Sequence, residues 1–311
     1  MNAVLIIDKP AGLTSHDVVN RVRRILNQHS VGHLGTLDPM ATGVLPLVIG
    51  SFTRLAQFYN ASEKTYEGTI RFGFSTDTYD AEGEPTSPHQ DVTLQKDELE
   101  AVAAKFRGVI EQLPPPFSAK KIQGVPAYKL ARKHQEVALK PVQVEIKEFE
   151  ILSIDAARAH FLARVASGTY MRSVAHDMGK ALGCGAHLES LRRTAVAEFT
   201  LADAHTLDEL AAAAGKTPSD NSSNPQSGVA LLDLFVHPRK LLPDLPSVSA
   251  DELSAARIRD GRTVNLPELS RARQVKVFAG QRDLIAIATR VAGSLFHPKL
   301  VLCANDAPVR S

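Results

Sequence analysis

The apolar positions of the chain fall into short blocks whose spacing changes from one block to the next. "AVLII" at 3–7 is an unbroken apolar run. With the Pro10 and Gly12 turn behind it, the run predicts a short buried strand, followed by a helix capped at Thr14 or Ser15. Val18, Val22, Ile25 and Leu26 recur at helical spacing, with Arg21, Arg23 and Arg24 on the other flank. "KTYEGTIRFGF" at 64–74 is rich in aromatic and β-branched residues, and "VQVEIKEFEIL" at 142–152 alternates apolar with polar positions, so both predict strands. Helical spacing returns at 97–107 and 172–182. This order is mixed and predicts an α+β fold, not a strict βαβ repeat.

Residues 215–228, "GKTPSDNSSNPQSG", contain nothing that anchors a core and predict a polar loop or linker. Beyond "LLPDLPSV" a second unit begins. Ser249 and Glu252 have capping-box spacing, Gly261 ends a short helix, and apolar runs between 275 and 303 predict strands. The expected division is 1–245 and 246–311, the latter a small β-barrel or sheet.

Composition narrows the class without naming partners. The 311 residues carry 36 Lys and Arg against 34 Asp and Glu, a net charge of +2. Two cysteines, Cys184 and Cys303, exclude a disulfide scaffold. No apolar run approaches the roughly 20 residues of a membrane span, and "VLII" is too short for a signal-peptide core, which together predict a cytoplasmic protein. Charge is nevertheless polarised: residues 61–115 hold 5 basic and 11 acidic side chains, and 116–200 hold 13 and 8. A polyanion would prefer the second stretch. Glycine-rich phosphate loops and the zinc-protease signature are absent. Cys184 and His187 have ligand-like spacing but lack the further ligands of a structural zinc site. "SHD" at 15–17 has triad residue types, yet sequence neighbours at a helix start cannot face one another, so it fits capping.

The segment that stands out is "GHLGTLDPMATGVLPL" at 32–47. Gly32, Gly35 and Gly43 permit positive φ or close backbone approach, and Pro39 disfavours helical backbone at Asp38. On turn statistics an Asp-Pro pair is usually structural.

"KPAGLTS" at 9–15 followed by "GHLGTLDPMATG" resembles the opening motifs of the TruB family, the bacterial tRNA pseudouridine-55 synthases. The resemblance continues in "KTYEGTIRFGFSTDTYDAEG" (64–83), "PPPFSAKKIQGVPAYKLAR" (114–132) and "GTYMRSVAHDMGKALGCGAHLESLRRT" (168–194), and spans about residues 4–245. The C-terminal portion is similar to the small PUA-type RNA-binding domain that ends many members. The resemblance implies an α+β catalytic domain with a mixed or antiparallel sheet and a cleft across it. The implied activity is isomerisation of uridine 55 in the tRNA T-arm, without cofactor or metal. The sequence itself shows no heptad pattern or surplus apolar face, and a monomer with no obligate protein partner and no membrane is expected.

By the same resemblance Asp38 is the catalytic nucleophile. A carboxylate can add to C6 of the base or C1′ of the sugar, or remove a ribose proton first. Arg172, at a helix start that otherwise favours acidic residues, is its expected partner and should favour the ionised carboxylate against burial. An extruded base needs stacking partners, and the resemblance assigns these to Tyr66 and Tyr170, with Leu191 closing the apolar wall. His33 is implied as a wedge in the T-loop, although as a residue type it suits a general base. Asp80 and Lys121 are expected to make polar or phosphate contacts. Lys9, Arg21, Arg23, Arg24, Lys120, Lys129, Arg132, Lys133, Arg192 and Arg193 would add phosphate contacts if they share a face. The sequence departs from the family pattern at Phe52, where a small residue is common, at Arg54 in place of Lys, and at Ala197 in place of Gly. Two rivals stand beside this reading: an RNA-binding or tRNA-folding module without catalysis, and a synthase acting on another RNA.

Overall fold

A computed structural model describes residues 1–117, 140–215, 230–268 and 270–302, and the backbone alone of 121–122 and 125–126. The strands are β1 (Ala3–Lys9), β2 (Val31–His33), β3 (Thr42–Ile49), β4 (Lys64–Phe72), β5 (Gly108–Gln112), β6 (Lys121–Ile122), β7 (Val125–Pro126), β8 (Val142–Asp155), β9 (Arg158–Val165), β10 (Ala186–Val196), β11 (Phe199–Thr200) and β12 (Ala204–His205). Between them lie α1 (Ser15–Leu26), α2 (Ala56–Tyr59), α3 (Lys96–Ala104), α4 (Met171–Ala181) and α5 (Leu207–Ala213). Among the described residues ten strands form one sheet, running β12-β1-β3-β10-β4-β9-β8-β5, with β2 beside β3 and β11 beside β10. The β1–β12 and β3–β10 pairs are parallel and the others antiparallel, so the sheet is mixed and the α+β expectation holds.

The apolar run at the N-terminus has a physical reason. Successive strand side chains point to opposite faces, and both faces of β1 are covered. Ala3, Leu5 and Ile7 enter a core with Val18, Val19 and Val22 of α1 and with Val174, Ala175 and Met178 of α4. Val4 and Ile6 enter a second core with Phe278, Leu284, Ile287 and Leu300, which belong to a separate five-stranded sheet. That sheet contains β13 (Ser247–Ala250), β14 (Val264–Asn265), β15 (Gln274–Ala279), β16 (Asp283–Ala292) and β17 (Leu295–Val301), ordered β13-β15-β16-β17-β14, with helix α6 (Glu252–Arg259) packed on it. It is the small C-terminal β unit the sequence anticipates.

The seam between the sheets is apolar with polar ties. Phe52 is buried in it, and Arg54 Nη1 donates to the Val301 carbonyl at 2.7 Å. The bulk at position 52 therefore fills the seam. Lys276 donates to the Arg239 and Leu241 carbonyls at 2.9 and 2.6 Å, and Tyr59 Oη donates to Glu198 at 2.6 Å.

Some local expectations shift. Thr14 caps α1 in a capping box with Asp17, which accounts for "SHD". The cap of α6 is Asp251, accepting from Ser254 N at 2.7 Å, while Ser249 lies within β13. The helix expected over 97–107 ends at Ala104, four residues before positive-φ Gly108 opens β5. Residues 216–228 of the expected linker and Cys303 lie outside the described residues.

Candidate active site

The loop between β2 and β3 is held from beneath by two cations that, among the described residues, form no ion pair and donate to backbone carbonyls. Lys9, fully buried, donates to the carbonyls of Pro10, Leu13 and Pro39 at 2.8, 2.7 and 3.1 Å. Arg193, also fully buried, donates to Val44, Thr36 and Gly35 at 2.8, 3.2 and 3.1 Å. Ser15, at the start of α1, donates to the Leu37 carbonyl at 3.0 Å and accepts from its N–H at 2.8 Å. Together these contacts fix the backbone on both sides of Asp38. Gly43 permits the closest approach: its φ is +99°, and a Cβ there would lie 2.2 Å from the Arg193 carbonyl. Gly35 also has positive φ, at +128°, whereas Gly32 does not and has ordinary clearance.

Strand pairing brings the remaining residues to this loop. The parallel β3–β10 register sets Gly43 opposite Arg193, and the antiparallel β10–β4 register sets Arg193 opposite Tyr66 and Leu191 opposite Gly68. Helix α4 begins just beyond β9, so Tyr170 and Arg172 face the same place. Tyr170 is fixed by the buried Gln112, whose amide accepts from Tyr170 N at 2.8 Å and donates to its carbonyl at 3.1 Å.

Arg172 lies at the centre of the cluster. Its Nε is 2.9 Å from Asp38 Oδ2 and its Nη2 donates to Asp38 Oδ1 at 3.0 Å. Its Nη1 lies 3.3 Å from Asp80 Oδ2 and donates to the Thr78 carbonyl at 3.2 Å, and Nη2 also donates to the Phe117 carbonyl at 3.0 Å. The Arg172 side chain is 6% exposed and that of Asp80 5%, but Asp38 keeps 34%. Asp38 is thus the member of the trio with a side open to ligand. Burial pushes its carboxyl above the usual range; Arg172 pulls it down, and Asp80 pushes it up again. The expected pull of Arg172 against burial is present and offsets it in part. The ion pair restrains the rise and aims the carboxylate, but loss of water and a second carboxylate prevail.

Asp38, Tyr66, Tyr170, Arg172 and Leu191 line one cavity of about 240 Å³, with Lys64, Gly35 and the 167–169 turn completing its wall. The residues expected to handle the base are thus gathered from four separate stretches of chain. His33 is near but apart, half-buried beside an adjoining cavity; burial and then Arg193 hold its imidazole below the usual range.

Three expected RNA contacts are placed otherwise. All three donors of Lys9 are used on carbonyls, Arg193 is fully buried among carbonyls, and Asp80 is buried against Arg172 while accepting from Thr78 Oγ1 at 2.6 Å and Glu82 N at 3.1 Å. Each shapes the site from inside. Arg192 pairs with Asp8 at 2.7 Å, and Arg23 donates to the Val31 carbonyl at 2.9 Å, while Arg21 and Arg24 are exposed on α1. The side chains of Lys120, Lys121, Lys129, Arg132 and Lys133 lie outside the described residues. Gln112 and Lys64 went unforeseen. A Gln at a strand end gives no sign that it grips a backbone 58 residues away.

Residues 23–171 match the TruB family pseudouridylate synthase (N terminal domain), and residues 172–240 match the tRNA pseudouridylate synthase B C-terminal domain. A protein of Solibacter usitatus named tRNA pseudouridine synthase B is 50% identical over 305 residues, covering 97% of this chain and 100% of the relative. One of the same name from Aquifex aeolicus is 39% identical over 304 residues, with 97% and 100% covered. A crystal structure of a Cbf5-Nop10-Gar1 complex contains a chain with the same fold, at TM-score 0.69 and 24% identity, covering 98% of this chain and 86% of that one. The two matched segments together span 23–240 and so include every residue that lines the cavity, and the chain belongs to the TruB family of pseudouridylate synthases.

Proposed function

We propose that this protein isomerises uridine 55 in the T-arm of tRNA to pseudouridine, with Asp38 as the nucleophile on an extruded uridine. The observation that carries the reading is a single half-open carboxylate, aimed by a buried arginine into a cavity walled by Tyr66, Tyr170 and Leu191. Relatives named tRNA pseudouridine synthase B support tRNA as the substrate.

In the reaction the N1–C1′ bond breaks and a C5–C1′ bond forms. The C5 proton leaves, N1 gains one, and no oxidant or reductant is consumed. Asp38 supplies the electron pair that opens this sequence, at C1′ of the sugar or C6 of the base, and splits one hard step into two. Arg172 holds the carboxylate at two points, which directs it and favours its ionised form against burial. Asp80 holds Arg172 from the other side. Tyr66 and Tyr170 receive the base, offsetting the stacking lost on extrusion, and Leu191 excludes water from its edge. His33, beside the cavity, wedges into the T-loop.

The division into a catalytic unit, 1–245, and an RNA-binding unit of PUA type, 246–311, belongs to the same proposal. So does action as a cytoplasmic monomer without protein partners or added cofactor. Exposed large apolar residues such as Val109, Leu152, Leu232, Leu253 and Val291 lie on separate elements, which supports a monomer. No described helix is long and apolar enough to cross a membrane.

The test is tritium release from tRNA labelled at uridine C5, using the purified chain alone with EDTA present. Release is expected, and it should vanish on a transcript bearing cytidine at position 55. Absence of release from tRNA that the protein demonstrably binds would overturn the reading.

A further inference from the structure

Two cavities meet at one cation. The catalytic cavity and its neighbour of about 220 Å³, which His33, Tyr59 and Asn60 help to line, share Gly35, Lys64 and Ser167, and of these Lys64 alone carries a charge. Lys64 opens β4 and stands on the same strand face as Tyr66, two residues on. The flank of its side chain packs against Gly35, where an added Cβ would lie 3.4 Å from Lys64 Cε and 3.6 Å from the Arg193 guanidinium.

The other buried cations of this site are held by several protein acceptors each. Lys9 and Arg193 are satisfied by backbone carbonyls, and Arg172 by Asp38 and Asp80. Lys64 differs. Among the described residues its ammonium donates to the Ser62 carbonyl at 2.8 Å and forms no ion pair, so two of its three donors are unspent. A half-buried ammonium beside a second cation is costly unless an anion joins it. Burial, with Arg193 adding to it, brings Lys64 down to about 8.

We propose that Lys64 binds a phosphodiester of the RNA strand at the threshold between the two cavities, anchoring the backbone of the nucleotide whose base and sugar face Asp38. This rests on the reading of RNA as substrate. An ammonium is a compact point charge suited to phosphate, and a nucleotide with its reacting atoms at Asp38 and Tyr66 leaves its phosphates at the cavity edge. Lys64 binds the strand; it takes no part in bond making.

The experiment compares full-length wild type, Lys64→Met and Lys64→Arg in tRNA binding across a range of KCl concentrations and in single-turnover tritium release at saturating enzyme. Lys64→Met should weaken binding about fivefold and flatten the slope of log K against log salt by about 0.7 to 0.9, the signature of one lost phosphate contact. Lys64→Arg should restore the salt slope and shows that the site tolerates a long side chain. An unchanged slope in Lys64→Met, whatever its affinity or rate, overturns the proposal, because a packing role leaves counterion release untouched. Failure of wild type to release tritium would instead sink the parent reading.

Discussion

The catalytic loop and the seam between the sheets both bury charge, yet they finish the arrangement differently. At the seam Lys276 ends on two carbonyls, Tyr59 on Glu198 and Glu198 on Leu242 N, and apolar side chains from both sheets close around them. Every polar group named there has its partner within the protein. At the loop Lys9, Arg193 and Arg172 are equally enclosed, but the carboxylate they surround is left open to a cavity and is pushed toward its neutral form. Closed polar networks stabilise and specify a core, whereas one valence left open in a dry setting is poised for chemistry. The two regions should therefore respond differently to substitution.

The largest effect is expected at Arg172. Arg172→Met strands two carboxylates, one of them buried, and should cost about 2–4 kcal/mol of stability, less than for a fully buried pair because Asp38 is partly solvated. The same change should slow tritium release at least about a hundredfold by misaiming Asp38. At the seam, Phe278→Ala should cost about 3–5 kcal/mol in urea melts while leaving the rate per folded molecule nearly unchanged. A comparable loss of rate there would break the contrast.

A smaller effect distinguishes ionisation from structure. Because Asp38 is raised, activity should fall with decreasing pH while still above the ordinary carboxylate range, as the nucleophile takes up a proton. Asp80→Asn removes one of the influences that raise it, so the acid limb of its pH–rate profile should move to lower pH. An unmoved limb would show that Asp80 does not act on Asp38 through charge. The smallest effect is at Ala197, whose φ of +49° lies in the left-handed region that favours glycine. Ala197→Gly should raise stability by up to about 1 kcal/mol in thermal melts without altering activity.

The site was legible in sequence where local chemistry is distinctive. Glycines and Pro39 around Asp38 marked a built loop, and an arginine at a helix start, where acids are favoured, pointed to Arg172 having a specific partner. The apolar run 3–7 predicted a buried strand, but not that its alternate residues serve two cores. Charge without burial misled at Lys9, Arg193 and Asp80, since a sequence shows that a side chain is ionisable but not that carbonyls or a guanidinium will enclose it. Gln112 was invisible because its role depends wholly on the fold bringing β5 to the start of α4.

The measurement closest to the centre of the account is single-turnover tritium release by Asp38→Asn, beside its tRNA affinity and melting temperature. The variant keeps the shape of the side chain and removes its nucleophilic charge. Affinity and melting temperature near those of wild type, with release reduced by at least about a thousandfold, are predicted for a group that makes a bond. Release within about tenfold of wild type, on a folded protein that binds tRNA, would contradict the assignment of Asp38 as the nucleophile.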